Sequence, residues 1–94
     1  MPHLLVKHKV REFDVWKAAF DRDADRRQSS GSLGGTVYCS IDDPHEVTVL
    51  LEWDNVANIN SFMESPELKA TMESAGVMEQ PTIWILDSQG NPAA

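Results

Sequence analysis

The chain has 94 residues, 41% of them hydrophobic and 24% charged, which is enough for one globular domain and too little for two. Its formal net charge of −7, from 15 acidic and 8 basic side chains, argues against nucleic acids and acidic membrane surfaces as partners. The single cysteine, Cys39, rules out an internal disulfide framework, and we predict a cytoplasmic protein with no signal peptide and no membrane span.

An alternating pattern over residues 3–10 predicts the first strand. Leu4, Val6, His8 and Val10 share one face of it, because side chains two residues apart point the same way. The opposite face carries His3, Leu5, Lys7 and Lys9. The strand therefore has one mainly apolar face.

Residues 13–28 have the spacing of an amphipathic helix. Phe13, Trp16, Phe20 and Ala24 recur at helical intervals and form its apolar side. Opposite charges stand four residues apart in two predicted pairs, Lys17 with Asp21 and Asp23 with Arg27. The Ser29-Ser30-Gly31-Ser32 segment is then predicted to end the helix and form a loop.

Two further alternating segments predict a β-hairpin. Residues 35–41 and 46–53 are rich in β-branched and aromatic side chains. The Asp42-Asp43-Pro44-His45 cluster between them is typical of a turn. One face of the hairpin carries Val37, Cys39, Ile41, Val47, Val49, Leu51 and Trp53.

A second helical region follows the hairpin and is predicted to break near Pro66. Asp54 is its predicted N-cap. Ser65 and Pro66 restart the helix, since serine caps well and proline fits the first helical position. Gly76 is predicted to end the region, and residues 82–86 form the last strand.

The element order strand–helix–strand–strand–helix–strand predicts an α+β, ferredoxin-like βαββαβ fold. Right-handed crossovers put the helices on one face of a four-stranded antiparallel sheet. We assign residues 1–88 to this single domain and residues 89–94 to a flexible C-terminal tail. The helix-free face would carry Thr36, Tyr38, Ser40, Thr48, Leu50, Glu52, Thr82, Trp84 and Leu86. Its large apolar side chains predict cover by a second subunit that encloses a small cavity.

Several short motifs of the chain resemble one protein family. They are Val6-Lys7-His8-Lys9-Val10, Phe13-Asp14, Trp16-Lys17, Phe20-Asp21, Asp43-Pro44, Glu52-Trp53, Ser65-Pro66-Glu67-Leu68 and Ala75-Gly76-Val77. Spread over residues 3–86, they are similar to those of antibiotic biosynthesis monooxygenases, small proteins of the dimeric α+β barrel superfamily. The resemblance implies a homodimer in which two sheets pair into a barrel.

The same resemblance implies a function. Family members bind small hydrophobic, aromatic or polyketide-like molecules between sheet and helices, and some oxidise phenols or anthrones with oxygen and no cofactor. We therefore expect a cofactor-independent monooxygenase or cyclase. The haem-degrading branch is disfavoured, because it uses a histidine in the second helical region and residues 54–76 contain none. The alternatives are a non-catalytic small-molecule-binding or stress-associated dimeric protein, and a purely structural dimer module.

Three side chains are the predicted catalytic groups. His8 could act as a general base because its ordinary pKa lies near physiological pH, or it could be a hydrogen-bonded core residue. Tyr38 and Glu52 share a face on adjacent strands and could donate a proton to, or remove one from, a bound phenol or ketone. The structural alternative for Glu52 is a cross-strand pair with Lys7 or Lys9.

Four further residues are the predicted substrate-binding groups: Trp84, Trp53, Asn60 and Trp16. Trp84 is the favoured cavity wall, whereas the positions of Trp16 and Trp53 favour core packing as the alternative role. The three histidines lack metal-ligand spacing, and the chain has no glycine-rich phosphate loop. We therefore predict no metal and no cofactor.

Overall fold

The computed structural model describes residues 1–93 and shows a four-stranded antiparallel sheet with four helices. In chain order the elements are β1 (Pro2–Lys9), α1 (Phe13–Arg22), α2 (Ala24–Ser30), β2 (Ser32–Cys39), β3 (Glu46–Trp53), α3 (Val56–Met63), α4 (Pro66–Ser74) and β4 (Thr82–Asp87). The strand order β2-β3-β1-β4 confirms the ferredoxin-like prediction. Ala94, the last residue of the predicted tail, lies outside the described residues. Within them, no helix has the length and apolar character needed to cross a membrane.

The core lies between the helices and one face of the sheet. β1 and β3 pair with Leu4 opposite Leu51 and Val6 opposite Val49. The buried apolar cluster comprises Leu4, Val6, Val10, Trp16, Ala19, Val47, Val49, Leu51, Trp53, Ile59, Phe62 and Ala75. Burying a large side chain of this kind contributes about 1.5–3 kcal/mol. The core faces of β1 and β3 are those that the alternating sequence predicts. The prediction is wrong at the end of the second strand, because β2 stops at Cys39 and leaves Cys39 and Ile41 exposed.

The opposite face of the sheet is free of helices and carries the residues predicted for it. Tyr38 lies opposite Thr48, and Leu5 of β1 lies between Leu50 and Trp84. A β-bulge near the start of β2 precedes the alternating segment, so it leaves the two faces of the hairpin unchanged. We call this surface the helix-free face.

The first helical region is two helices rather than the single helix predicted over residues 13–28. α1 ends at Arg22 and α2 begins at Ala24, with Asp23 between them at φ −89° and ψ 6°. The Arg26 guanidinium donates hydrogen bonds of 2.8 and 2.6 Å to the Asp23 carboxylate. Aspartate is a poor helix former, and this tight pair stabilises a turn in place of a continuous helix.

β2 begins earlier than predicted and takes up part of the predicted loop. Ser29 and Ser30 end α2, Gly31 makes the turn at φ +122°, and Ser32 already belongs to β2. Glycine adopts a positive φ without steric cost. One residue therefore suffices where the sequence predicts a loop over residues 29–32.

The second helical region breaks at Pro66, as predicted. Ser65 accepts a backbone hydrogen bond of 3.3 Å and caps α4, and Pro66 occupies its first turn. The N-cap of α3 is Asn55 rather than the predicted Asp54, because the Asn55 side chain accepts a hydrogen bond of 2.8 Å from the Asn58 backbone N–H. Asp54 lies one residue earlier and accepts hydrogen bonds of 3.0 Å from the Asn58 side-chain amide.

β4 is an edge strand with little cover on either face. Ile83 and Ile85 point towards the helix side, yet they remain 43% and 42% exposed. Trp84 and Leu86 on the helix-free face are each 42% exposed. An apolar edge strand is an aggregation hazard unless something covers it. The chain by itself therefore leaves a large apolar surface open along β4.

Candidate functional site

A cavity of about 70 Å³ lies between the core face of the sheet and the four helices. Strands β1 and β3 form its floor. It is lined by Leu4, Val6, His8, Trp16, Phe20, Asp23, Arg27, Val49, Leu51, Phe62, Met63, Leu68, Thr71, Met72 and Ala75. Most of these side chains are apolar, so the cavity suits an apolar ligand that is oriented by a few polar groups. We call this space the central cavity.

His8 is buried in the floor of the central cavity, with 4% of its surface exposed. Neither of its ring nitrogens has a hydrogen-bond partner among the described residues. Burial lowers the pKa of His8, so the imidazole is neutral at pH 7 and offers one donor and one acceptor nitrogen. Leaving a buried polar group unpaired costs about 1–3 kcal/mol, and a purely structural histidine is expected to have a partner.

Two aromatic rings connect His8 to the edge of the central cavity. The Trp16 ring lies 5.4 Å from the His8 ring, and the Phe20 ring stacks on Trp16 at 5.0 Å with an interplanar angle of 22°. The Arg27 guanidinium carbon then lies 3.6 Å from the centroid of the Phe20 ring. Trp16 and Phe20, which we call the aromatic wall, thus lie between the neutral imidazole of His8 and the guanidinium of Arg27.

Arg27 is partly buried, and none of the ion pairs formed among residues 1–93 involves it. Its Nη1 donates a hydrogen bond of 2.6 Å to the Phe20 carbonyl oxygen. Desolvation lowers the pKa of Arg27, although a guanidinium stays charged at neutral pH. The predicted pair of Asp23 with Arg27 is wrong, because the Asp23 carboxylate lies 2.6 Å from Arg26 instead.

Tyr38 and Glu52 lie on the helix-free face, so the sheet separates both of them from His8. Tyr38 is opposite Thr48 and Glu52 is opposite Gly34. The two side chains are therefore four residues apart along the sheet, or about 13 Å. The structure does not bring the three predicted catalytic groups together within one subunit.

The cross-strand partner of Glu52 is a histidine and not one of the two lysines considered for it. His3 Nε2 lies 3.5 Å from Glu52 Oε2 across the strand pair. The lysines are paired elsewhere, Lys7 with Glu46 at 2.6 Å and Lys9 with Asp43 at 3.7 Å. The hydrogen bond to Glu46 raises the pKa of Lys7. The side chains of these pairs are 26–50% exposed, so solvent screens the pairs.

The four predicted substrate-binding residues lie in different parts of the fold. Trp16 lines the central cavity. Trp53 is fully buried with its ring centroid 5.2 Å from that of Phe62, and its Nε1 has no hydrogen-bond partner among the described residues. Asn60 is exposed on α3, and Trp84 is exposed on the helix-free face. Of the four, Trp16 shares a cavity with the predicted base.

The chemistry available in the central cavity is narrow. His8 can take up a proton, Arg27 can bind an anion, and Thr71 offers a hydroxyl group. Asp23 also lines the cavity, but its carboxylate forms an ion pair with Arg26. Within residues 1–93, no group of three or more histidine, cysteine, aspartate or glutamate side chains is placed to hold a metal ion.

Phe20 and Arg27 are absent from the predicted site, although the sequence carries a signal for both. Trp16, Phe20, Asp23 and Arg27 follow one another at intervals of four, three and four residues, which is the spacing of one helical face. An arginine on the apolar face of a helix indicates a cation that points towards the core. The signal is easily missed, because an arginine near a helix C-terminus already has a local electrostatic role.

Comparison with family models matches residues 11–74, more than half of the chain, to "Antibiotic biosynthesis monooxygenase". The chain belongs to the antibiotic biosynthesis monooxygenase family. A sequence comparison with curated proteins finds no match for this family member.

Solved structures share the fold of this monooxygenase family member at low identity. A candidate antibiotic biosynthesis monooxygenase of Bordetella bronchiseptica has a TM-score of 0.79 at 16% identity, over 93% of this chain and 95% of that one. A variant of SnoaB, a cofactor-independent oxygenase from Streptomyces nogalater, has a TM-score of 0.76 at 11% identity, over 96% and 94% of the two chains. An antibiotic biosynthesis monooxygenase aligns over 96% of this chain and all of its own, with a TM-score of 0.73 at 12% identity.

Proposed function

We propose that this protein binds a small aromatic molecule in the central cavity and oxidises it with molecular oxygen, without a cofactor. One observation carries the proposal: His8 is a neutral, buried imidazole in the floor of an apolar cavity, and neither nitrogen has a hydrogen-bond partner within residues 1–93. A base in a water-poor site can remove a proton from a bound carbon acid. The fold similarity to SnoaB, a cofactor-independent oxygenase, supports the same class of reaction.

The reaction balances with oxygen as the single co-substrate. His8 takes a proton from an acidic CH₂ group, and the resulting carbanion is delocalised over the aromatic rings. One electron passes from the carbanion to oxygen, and the carbon radical and superoxide combine to form a peroxide. The imidazolium returns its proton to the peroxide oxygen. Loss of the second C–H proton and cleavage of the O–O bond then give a carbonyl group and one water molecule.

The wall of the central cavity suggests how a substrate is admitted. At about 70 Å³ the cavity is smaller than the roughly 300–1,000 Å³ of sites for drug-sized ligands. Met63, Leu68 and Met72 separate it from an outer groove of about 760 Å³. Methionine side chains are unbranched and repack readily. Rotation of these side chains would join the two spaces and give room for a bicyclic or tricyclic ring system.

Oxygen consumption tests the proposal. Purified protein is mixed with anthrone, and separately with a naphthoquinol, while dissolved oxygen and the product mass are followed. We expect uptake above the spontaneous rate, unchanged by prior dialysis against EDTA. With anthrone, one atom of isotopically labelled oxygen should appear in the new carbonyl group. Heat-denatured protein is the control. Binding of these compounds with no uptake above that control overturns the oxygenase.

Two other activities use the same cavity and are separated by the same assay. In a cyclase, His8 would remove a proton from the substrate, and the resulting carbanion would attack a carbonyl group of the same substrate molecule. Product would therefore form in the absence of oxygen. A non-catalytic binder would hold the aromatic ligand and leave it unchanged. The narrow set of polar groups around His8 is sufficient for binding alone.

We also propose that the protein is a homodimer joined through the helix-free face and β4. The exposed fraction is 50% for Tyr38 and 42–43% for each of Ile83, Trp84, Ile85 and Leu86. A second copy that packs on this face and along the edge of β4 would cover these side chains, and the contact between His3 and Glu52 would lie near the interface. Covering the β4 edge removes its aggregation hazard.

Substituting Trp84→Glu is expected to dissociate the dimer. A glutamate on the contact face would bury an unpaired charge, which association cannot offset. Sedimentation velocity at micromolar concentration should show a dimer for the wild type and a folded monomer for the variant. Val15→Glu is the matched control, because Val15 is 50% exposed on α1, on the other side of the sheet. A wild type that sediments as a monomer contradicts the proposal.

A further inference from the structure

The central cavity adjoins a second outer groove, which lies between α2 and the first half of β2 and has a volume of about 580 Å³. Phe20, Arg27 and Leu51 line both spaces, so they stand at the junction between them. Gly31 and Gly34 line the groove without side chains that would obstruct it. A ligand that reaches from the central cavity into this groove therefore passes Arg27.

We infer that Arg27 is an anion-binding residue at this junction, and that the ligand of the central cavity is an aromatic compound bearing a carboxylate. The inference rests on the proposed occupation of the cavity by an aromatic molecule. A guanidinium presents five N–H donors in a planar fork that matches a carboxylate. One hydrogen bond, from Nη1 to the Phe20 carbonyl oxygen, is the whole use of these donors within residues 1–93. The remaining donors can hold an external anion.

The acidic side chains around Arg27 form their closest contacts with other groups, so the charges of Asp21 and Asp23 act on Arg27 without occupying its donors. Their partners are Lys17 for Asp21 at 2.7 Å, Arg26 for Asp23 at 2.6 Å, and the Asn58 amide for Asp54 at 3.0 Å. Stacking on Phe20 fixes the plane of the Arg27 guanidinium. Arg27 is therefore a positioned cation in a partly buried place, where a charge-assisted hydrogen bond is stronger than in water.

The aromatic wall gives the ligand a direction. With its carboxylate at Arg27, the ring system would lie along Phe20 and Trp16, and the far end of the ring would reach His8. The net charge of −7 repels anions in general. A preference for an anionic ligand would therefore have to come from a local cation, so observing this preference would indicate a cationic binding group in the site.

A matched pair of ligands tests the inference. Naphthoate and naphthamide, substituted at the same ring position, differ in charge and little in shape. Titration of wild-type protein, followed by isothermal calorimetry and by tryptophan fluorescence, should show naphthoate binding roughly 10- to 100-fold more tightly. Arg27→Met should remove this preference by weakening naphthoate binding and leaving naphthamide binding nearly unchanged. Arg22→Met, which removes the same charge from an exposed position on α1, should keep the preference.

The outcomes separate this inference from the proposed oxygenase. Equal binding of the two ligands by the wild type, or no binding of either, overturns the anion site without reference to any variant. A preference that survives Arg27→Met also overturns it. Because the titration measures binding, it can succeed when oxygen uptake fails, and the reverse. If Arg27→Met does not fold, Arg27→Lys keeps the charge and loses the fork, and it should show an intermediate preference.

Discussion

Substituting His8→Leu is expected to abolish oxygen uptake and, at the same time, to stabilise the fold. A general base contributes about 10²- to 10⁴-fold to the rate of proton removal, so kcat should fall by that factor with the anthrone substrate. Leucine has no polar atoms to leave unpaired in the floor of the central cavity. The two His8 nitrogens have no hydrogen-bond partner in the described part of the chain, so removing them should gain about 1–3 kcal/mol in the free energy of unfolding.

The gain in stability should grow as the pH falls. Burial lowers the pKa of His8 in the folded state below its unfolded value of about 6.5. Below that pH the unfolded chain binds a proton that the folded protein does not, so the wild type loses up to about 1.4 kcal/mol per pH unit. The loss stops once the pH reaches the folded pKa. His8→Leu lacks this loss, so urea midpoints at pH 7 and pH 5 should separate the two proteins further at pH 5.

A control histidine distinguishes this effect from the general titration of the protein. His45 lies exposed in the β2–β3 turn, with its Nδ1 3.2 Å from the Val10 carbonyl oxygen. His45→Gln should keep full oxygen uptake and should not reproduce the stabilisation at pH 5. The role assigned to His8 is wrong if His8→Leu consumes oxygen at the wild-type rate. If His8→Leu were less stable than the wild type and still active, the role of His8 would be structural.

The two central strands, β1 and β3, could be predicted from the sequence because each has one face in the core. The alternation of residues 46–53 predicts β3 at its observed bounds, Glu46–Trp53, and that of residues 35–41 places Tyr38 on the face opposite to the core. The same alternation already places His8 with Val6 on the core face. Such an alternating pattern fixes the register of a strand, because a shift of the strand pairing by one residue would expose the whole apolar face to solvent.

The site could be predicted much less well, because it depends on how four helices pack. At the helix break, Asp23 pairs with Arg26, so Arg27 lines the central cavity without the partner predicted for it. Neither event has a local signal stronger than the continuous helical pattern around it. The exposure of Ile83 and Ile85 has the same origin, since it depends on where the helices end and not on the strand itself.

Gly35 is the position where the smallest substitution is expected to damage the fold most. It lies in β2 opposite Leu51, at the place where the two backbones approach each other closely. A Cβ atom added to Gly35 would lie within van der Waals overlap of the Leu50 carbonyl oxygen and carbon. These are backbone atoms of the central β3 strand, so they cannot move aside without disturbing the pairing of β2 with β3.

Gly35→Ala is therefore expected to lower the free energy of unfolding by about 3 kcal/mol or more, beyond the usual range for a surface substitution. For a domain of this size, that is a fall of roughly 12 °C or more in Tm.

Two neighbouring variants separate the steric clash at Gly35 from backbone strain and from the ordinary effect of a surface substitution. Gly34→Ala meets no atoms within 4 Å but stands at φ +99°, so it should show backbone strain of about 1–2 kcal/mol. Thr36→Ala, exposed and next in the strand, should stay within about 0.5 kcal/mol. If Gly35→Ala unfolds at the same temperature as Thr36→Ala, then β2 and β3 are not packed this closely, and the junction beside Arg27 is wider than its geometry indicates.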